Sequence, residues 1–332
     1  MVMQPDLEWS AVHKTSAKRW AAVAFDLYPF ADYPASACRF PTEEHLEKAS
    51  WLAGLVAERV RLLEQSALPA FPAMAVRVLN IMQERDPDLK ELVRTIREDP
   101  GISAQILRMA NSVYYSRGVE VETVHDAAVR LGIRSVCNVA VAAATRAMLD
   151  AQERERRDAF PQAWRRLSSY CLQCAAGSRW LSIWLARGDP EQAFLAGLLH
   201  DVGKIIALRV LGEMVQDGDA AVDMPDEVLE QVLEQTHVTL GTDLAAFWGL
   251  PGHVAHVCQE HHQVCPEPAK VNETLHLVRI ASSLFEARTQ PVQRSTLPEE
   301  LFYSAHSLGL AREPLQAVAG ELKRVGTESE RM

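Results

Sequence analysis

The sequence lacks an apolar run of the roughly 18 to 20 residues that a membrane-spanning helix needs. Its first residues, MVMQPDLEWS, also lack the basic and then apolar pattern of a secretory signal. Basic side chains are in deficit, because 34 Lys and Arg face 44 Asp and Glu and leave a net charge of -10. This balance disfavours non-specific attraction to nucleic acid or to anionic membranes. We therefore expect a cytoplasmic protein that binds neither.

The cysteines do not form the two spaced pairs of a zinc ribbon. Cys171 and Cys174 make a C-x-x-C, but they lie in a mid-helix pattern, whereas a redox motif follows a strand and opens a helix. We expect reduced thiols that mostly pack in the core. The six cysteines are Cys38, Cys137, Cys171, Cys174, Cys258 and Cys265.

No segment alternates apolar and polar residues with the period of a strand. Apolar residues instead recur three and four apart from Thr42 onward, as they do in amphipathic helices. Asp88 and Thr123 stand where helix N-caps are expected, Pro100 suits a first helical turn, and Gly132 suits a C-cap. The pattern predicts an all-α fold.

The first predicted helix is capped by Thr42 and runs to about Gln65. One stripe of apolar residues at helical spacing should face the core. The stripe comprises Leu46, Ala49, Trp51, Leu52, Leu55, Val56, Val60 and Leu63.

The charged run AQERERRDAF at 151–160 is the one clear break in hydrophobicity, and it indicates a helix end or a linker between two lobes. We divide the chain into an N-terminal extension with one helix (1–65), a first helical lobe (66–155), a second helical lobe (156–288) and a C-terminal helical extension (289–332). The two extensions, and Trp9 and Trp20 in particular, are candidates for partner contacts or for a homodimer interface.

Histidines are concentrated in the second half of the chain, at His200, His237, His253, His261 and His262. His200 precedes an acidic residue in LLHDVGK, and an adjacent His and Asp can serve a divalent metal if other helices bring further ligands. The pair alone is weak evidence, because a buried histidine that is hydrogen-bonded to a carbonyl is the common case.

GLLHDVGK resembles the hallmark of the HD superfamily of metal-dependent phosphohydrolases, and the surrounding motifs are similar to those of HDOD domains. In the first lobe these are LPAFPAMAVRVL, REDPGISAQILRMANSVYY and TVHDAAVRLG. In the second they are FLAGLLHDVGK, the H-x-x-x-G from His237 to Gly241, FWGLP, and the pair His261 and His262. The motifs span roughly residues 60 to 285 in order, which is far more specific than any one of them. The resemblance implies two packed helical lobes, the second HD-like, and a role in bacterial signal transduction.

The resemblance also implies that two metal ligands are missing. In catalytic members, a histidine on the preceding helix and an aspartate on a late helix complete the metal shell. Aligning WRRLSSYCL places Arg166 at the first position, and VRIASSLFEA places Ser282, or Ser283, at the second. Arginine cannot ligate a metal and serine is a feeble ligand. With Asp201 as the only carboxylate left, we expect no metal, no other cofactor and no catalytic residue.

We interpret eight residues as the vestige of an HD site. One hypothesis is that Arg166 replaces the charge of the metal by a buried ion pair with Asp201. The alternative is that Arg166 points to solvent and Asp201 caps a neighbouring helix. Lys204 is expected to be a solvated residue near a helix end. The eight residues are Arg166, His200, Asp201, Lys204, His237, His261, His262 and Ser282.

Three functions remain open at this point. The first is a non-enzymatic regulatory module that binds bacterial signalling proteins. The second is a metal-dependent phosphohydrolase or cyclic-dinucleotide phosphodiesterase, although no G-Y-P follows His262. The third is a nucleotide sensor that keeps the old cleft, with Arg166 and Lys204 as phosphate-binding donors.

Overall fold

The computed structural model describes residues 41–62, 68–111, 120–155, 159–218, 224–263, 272–289, 299–310, 318 and 320–325. Within these ranges the regular elements are helices and there is no strand, which confirms the predicted all-α class. Trp9 and Trp20 lie outside the described residues. The helices are α1 (Glu43–Leu62), α2 (Ala73–Gln83), α3 (Leu89–Arg97), α4 (Pro100–Asn111), α5 (Val124–Leu131), α6 (Ile133–Glu155), α7 (Pro161–Leu185), α8 (Pro190–Leu199), α9 (Gly203–Gln216), α10 (Asp226–Phe247), α11 (Gly252–Glu260), α12 (Glu273–Thr289) and α13 (Glu299–Ser307).

The predicted helix boundaries in the first lobe are confirmed. The side chain of Asp88 accepts a hydrogen bond from the backbone N–H of Lys90 at 2.8 Å, and Thr123 Oγ1 accepts one from the N–H of Asp126 at 3.1 Å. Each cap satisfies a backbone donor that the first helical turn leaves without a partner. At the other end of α5, Gly132 has a φ of 86°, a conformation that glycine adopts at no steric cost.

Helix α1 begins as predicted but buries a narrower face. Thr42 Oγ1 accepts from the backbone N–H of His45 at 3.2 Å, and the helix packs against α9 and α10. The described residues cover only one face of α1, and Trp51 is 58% exposed and Leu46 is 41% exposed. The prediction that these two residues belong to the buried stripe is therefore wrong. Leu63 and Gln65 lie outside the described residues.

The helices pack as two lobes around a common core. Helices α2 to α6 contact one another in the first lobe, and α7 to α13 together with α1 form the second. Helix α6 also packs against α7 and α8, and one apolar cluster runs from Val78 and Ile106 of the first lobe to Leu195 and Val232 of the second. The domain boundaries chosen from the sequence stay predictions.

Trp248 fixes one contact between the lobes. Its indole N–H donates to the carbonyl of Pro69 at 2.8 Å, and its ring stacks on Phe71 with 4.6 Å between the ring centroids. The indole thus covers apolar surface and satisfies its only polar atom at the same time. This contact gives the FWGLP motif a packing role.

The described cysteines are buried thiols, as expected. Cys171 and Cys174 lie within α7, and Cys137 and Cys258 are also free and buried. Burial raises the pKa of the Cys171 thiol to about 12, which keeps it protonated and unreactive. Cys38 and Cys265 lie outside the described residues.

No single helix within the described ranges combines the length and the apolarity of a membrane span. The bent pair formed by α5 and residues 133–150 of α6 meets both criteria when the two are taken together.

Candidate functional site

The H-D pair lies in the tight turn between α8 and α9. Helix α8 ends at Leu199, and Gly203 opens α9 against the middle of α10. A Cβ atom at Gly203 would overlap the carbonyl of His237 and the backbone nitrogen of Gly241, so only glycine allows this approach. The close crossing places Asp201 beside His237.

Three histidines present the same nitrogen to one point in the core. Their Nδ1 atoms lie next to carbonyls of their own helices: His200 is 2.9 Å from Gly197, and His261 is 2.9 Å from Val257. His237 Nδ1 is 3.0 Å from the carbonyl of Leu233. These contacts place the proton on Nδ1 and leave each Nε2 as a lone pair.

The imidazoles of His200 and His237 are held neutral by their surroundings. Burial lowers the pKa of His200 to about 4 and that of His237 to about 3. The Nε2 atoms of His237 and His261 are 3.1 Å apart. Two lone pairs at this distance repel unless a cation or a proton lies between them.

Asp201 is the negative charge at the centre of this cluster. Its Oδ1 lies 3.3 Å from His261 Nε2 and 3.4 Å from His237 Nε2, and its Oδ2 lies 3.7 Å from His200 Nε2. Although burial acts to raise its pKa, electrostatic interactions with His200 and Lys204 hold the pKa of Asp201 well below the usual range. Neither carboxylate oxygen meets a donor at hydrogen-bonding angles.

Lys204 is buried, so the expectation of a solvated lysine is wrong. It is 3% exposed, and its Nζ lies 2.5 Å from Asp201 Oδ2. The reason is local: Lys204 follows Asp201 by three residues, and the first turn of α9 returns its side chain to the carboxylate. The same Nζ is 3.7 Å from Glu286 Oε1 on α12. Burial acts to lower the pKa of Lys204, but Asp201 and Glu286 raise it above its ordinary value.

Arg166 does not reach Asp201, and both hypotheses about it are wrong. Its guanidinium is half-buried and pairs with Glu230 at 3.1 Å and with Asp226 at 3.4 Å. These two carboxylates stand one turn apart on α10 and face α7, which makes them nearer partners than Asp201. Burial raises the pKa of Glu230, while Arg166 acts to lower it.

The residues that α7 and α12 bring to the centre lie one helical turn beyond the positions that the alignment selected. Ser282 is buried and donates to the carbonyl of Arg279 in its own helix at 3.2 Å. Glu286, four residues later, accepts from the hydroxyl of Tyr170 at 3.2 Å, and that hydroxyl is 3.4 Å from His200 Nε2. Glu286 is a second carboxylate near the centre, but Asp201 remains the only carboxylate in the metal-capable groups that the described residues form. Helical periodicity makes Tyr170 and Glu286 candidates, since each shares a face with the aligned residue, but it does not choose between the two positions on that face.

His262 forms the outer edge of the cluster. It is half-buried, its Nδ1 lies 2.9 Å from Glu300 of α13, and its Nε2 lies 3.7 Å from Glu234 of α10. Burial acts to lower the pKa of His262, but the hydrogen bond to Glu300 and nearby carboxylates raise this pKa above its ordinary value. His253 lies near the beginning of α11 and belongs to neither metal-capable group of the described residues.

Arg279 is a further residue that the sequence did not reveal. It is 2% exposed, and its guanidinium donates to the carbonyls of His261 at 2.9 Å and of Glu260 at 2.6 Å, and also to that of Gln263. It thereby satisfies carbonyls that the end of α11 leaves without partners. The position of His261 depends on this cap.

The donor set fits a divalent first-row metal ion. The donor atoms of His200, Asp201 and His261 lie within 4.8 Å of one another, and so do those of His237, His261 and His262. A histidine whose Nδ1–H is bound to a carbonyl and whose Nε2 faces inward is the usual form of a metal ligand. The expectation that no metal binds stays a prediction, but the replaced residues Arg166 and Ser282 no longer support it, because neither faces the centre.

Comparison with known proteins gives one family. A sequence profile described as the HDOD domain matches residues 68–264, more than half of the chain. An uncharacterized protein of Treponema pallidum (strain Nichols) is 22% identical over 280 residues; these cover 80% of this chain but 51% of that protein, so the chain spans about half the length of this relative.

Three crystal structures share the fold. An HDOD domain protein of unknown function from Geobacter sulfurreducens has a TM-score of 0.62 at 17% identity, covering 84% of this chain and 98% of that one. A protein from Shewanella amazonensis SB2B, provisionally named a metal-dependent phosphohydrolase, has a TM-score of 0.57 at 20% identity, covering 82% and 99%. A protein from Marinobacter aquaeolei VT8, provisionally named a signal transduction protein, has a TM-score of 0.59 at 21% identity, covering 87% and 65%. At these identities the likeness shows the fold alone.

Proposed function

The chain belongs to the HDOD domain family, and from that premise we propose that it is a regulatory module that acts by binding a protein partner and does not hydrolyse phosphoesters. The observation that carries this proposal is the burial of the H-D centre, by which we mean the H-D pair and the lysine and histidines around it. His200, Asp201, Lys204, His237 and His261 are each at most 3% exposed. A phosphoester in solvent could touch these groups only after the surrounding helices had moved.

The charge balance of the centre supports the same proposal. The ammonium of Lys204 lies against Asp201, so the carboxylate is compensated without any ligand from solvent. Tyr170 closes the side of α7 by its contact with His200, and Glu286 of α12 accepts a hydrogen bond from the same hydroxyl.

The surface offers apolar area of the kind that protein partners bind. Trp180 and Trp184 stack on α7 with 5.5 Å between their centroids, and Trp184 is 48% exposed. Ile183 beside them is 52% exposed. Exposed tryptophan is enriched among the residues that dominate binding energy in interfaces.

A metal ion is compatible with this regulatory role. His200, Asp201 and His261 would hold it, with the Nε2 of His237 3.1 Å from that of His261, and a bound divalent ion would supply Lewis acidity. These residues come from the α8–α9 turn, from α10 and from the end of α11. Their convergence joins three segments of the second lobe.

Phosphoester hydrolysis is the second candidate function, and the converging donor set favours it. Three imidazoles and a carboxylate are the ligand types of metal-dependent hydrolases. The provisional name of the Shewanella structure points to the same chemistry. The burial of every donor argues against it.

A turnover assay separates the two functions. The purified chain is incubated with cyclic di-GMP, or with bis(p-nitrophenyl) phosphate, in the presence of excess Mn²⁺. We expect no hydrolysis above that of buffer with Mn²⁺, because the substrate cannot reach the buried donors. Hydrolysis that His200→Ala abolishes, and that the exposed variant His306→Ala retains, would establish the enzyme instead.

A further inference from the structure

We infer that Lys204 competes with a divalent cation for Asp201, so that the position of its ammonium sets the metal affinity of the centre. The inference deepens the proposed function, on which it rests in treating the centre as a regulatory rather than a catalytic site. The juxtaposition that carries it is one buried carboxylate between a lysine and three imidazole lone pairs.

The competition follows from charge. A divalent ion among the Nε2 atoms needs the carboxylate of Asp201, yet Lys204 Nζ already lies 2.5 Å from that carboxylate. Ion, ammonium and carboxylate together would leave two net positive charges in the core. Uncompensated charge is costly in a medium of low dielectric constant. Metal binding therefore favours a position of the ammonium farther from Asp201.

Glu286 provides that second position. Its Oε1 is 3.7 Å from Lys204 Nζ, so a small rotation of the flexible lysine stem brings the ammonium into direct contact. The Tyr170 ring lies 5.3 Å from the same Nζ and flanks both positions. Glu234 of α10 adds a third carboxylate whose charge acts on Lys204.

The two positions link metal occupancy to α12. When the ammonium of Lys204 pairs with Asp201, the ion pair links α9 to the turn that precedes it. When the ammonium pairs with Glu286, the ion pair links α9 to α12, and Tyr170 connects the Glu286 carboxylate to His200. A change of ligand inside the core would thus alter which helices are bound to each other.

Zn²⁺ affinity, measured by competition with a chromophoric chelator, tests the inference on the full chain. Lys204→Met should bind Zn²⁺ at least 10-fold more tightly than the wild type, since a change next to a metal ligand typically shifts affinity by about 10- to 100-fold. Lys90→Met, which removes an exposed lysine at the start of α3, is the matched control and should not change the affinity. His261→Gln removes a donor and should abolish the site.

Glu286→Gln distinguishes competition from a general effect of charge. In the wild-type background it removes the second position of the ammonium and should weaken Zn²⁺ binding about 10-fold. In the Lys204→Met background there is no ammonium for Glu286 to bind, so Glu286→Gln should leave the Zn²⁺ affinity unchanged. The double-mutant cycle isolates the coupling between the two residues.

Three outcomes would overturn the inference. They are Zn²⁺ binding by Lys204→Met that is no tighter than by the wild type, an equal effect of Glu286→Gln in both backgrounds, and binding that survives His261→Gln. If circular dichroism shows that Lys204→Met is unfolded, Zn²⁺ should restore its helicity, and failure to do so also counts against the inference. Turnover in the earlier assay would overturn the proposed function alone, because these affinities are measured without substrate.

Discussion

His276 shows how burial changes the chemistry of a single residue. Its imidazole is 5% exposed on α12, with Nδ1 3.0 Å from Ser304 Oγ and the ring 5.5 Å from that of Tyr303 on α13. Burial, with a smaller effect of the Arg279 charge, lowers its pKa from 6.5 to about 4. The folded chain therefore holds this residue neutral under mildly acidic conditions.

This lowered pKa predicts a loss of stability at low pH. Between pH 6.5 and pH 4 the unfolded chain binds a proton at His276 that the folded chain does not, so the free energy of unfolding falls as the pH falls. From pH 8 to pH 5 the loss that this residue causes is about 2 kcal/mol. Urea denaturation at both pH values should show a smaller loss for His276→Gln. His306→Gln, exposed on α13, is the control, and equal pH dependence of the two variants would contradict the assignment.

The crossing of α9 and α10 depends on a glycine in the H-D turn. Gly203 lies against the backbone of His237 and Gly241, whereas Gly54 on α1 has no atom within 4 Å of an added Cβ. Both residues lie in helices, Gly203 in the first turn of α9 and Gly54 in the interior of α1, and their surroundings differ in packing. The pair allows a matched test.

Gly203→Ala should destabilise the fold by about 3 kcal/mol, because backbone atoms cannot move aside for the new methyl group. Gly54→Ala should stabilise it by up to about 1 kcal/mol, since alanine favours an exposed helix over glycine. Chemical denaturation followed by circular dichroism measures both. A similar change of stability in the two variants would show that the crossing is looser than described.

At the scale of the whole molecule, polar contacts join the two lobes. Glu191 at the start of α8 accepts hydrogen bonds from Ser135 and Asn138 of α6, at 3.0 Å and 2.8 Å, and pairs with Arg179 of α7 at 3.0 Å. Trp248 adds its hydrogen bond to Pro69. These contacts lie on the continuous core, so neither lobe buries its apolar face alone.

We therefore expect the lobes to unfold as one cooperative unit. Calorimetry should give a single transition with equal calorimetric and van't Hoff enthalpies. Trp248→Ala should lower the stability of the whole by about 3 kcal/mol, as loss of a packed tryptophan does. Trp51→Ala, on the exposed face of α1, should change it by less than about 0.5 kcal/mol. Two resolved transitions in the wild type would show that the lobes are independent.

Local signals in the sequence determined the class of the fold and many helix boundaries. Asp88, Thr123 and Gly132 act within one turn of their own helix, so their roles need no knowledge of the rest of the chain. The same holds for the H-D pair and for the order of the family motifs. Burial of Trp51 could not be settled this way, because apolar spacing does not reveal how wide a face the neighbouring helices cover.

Only the tertiary structure decided which side chains meet in the centre. Choosing between Arg166 and Tyr170 on α7, or between Ser282 and Glu286 on α12, requires the position of each helix along its axis to within one turn. Sequence spacing fixes the face of a helix and leaves that position open. The partner of Asp201 depended on the same geometry: Arg166 meets the carboxylates of α10, and Lys204 remains to balance the buried charge.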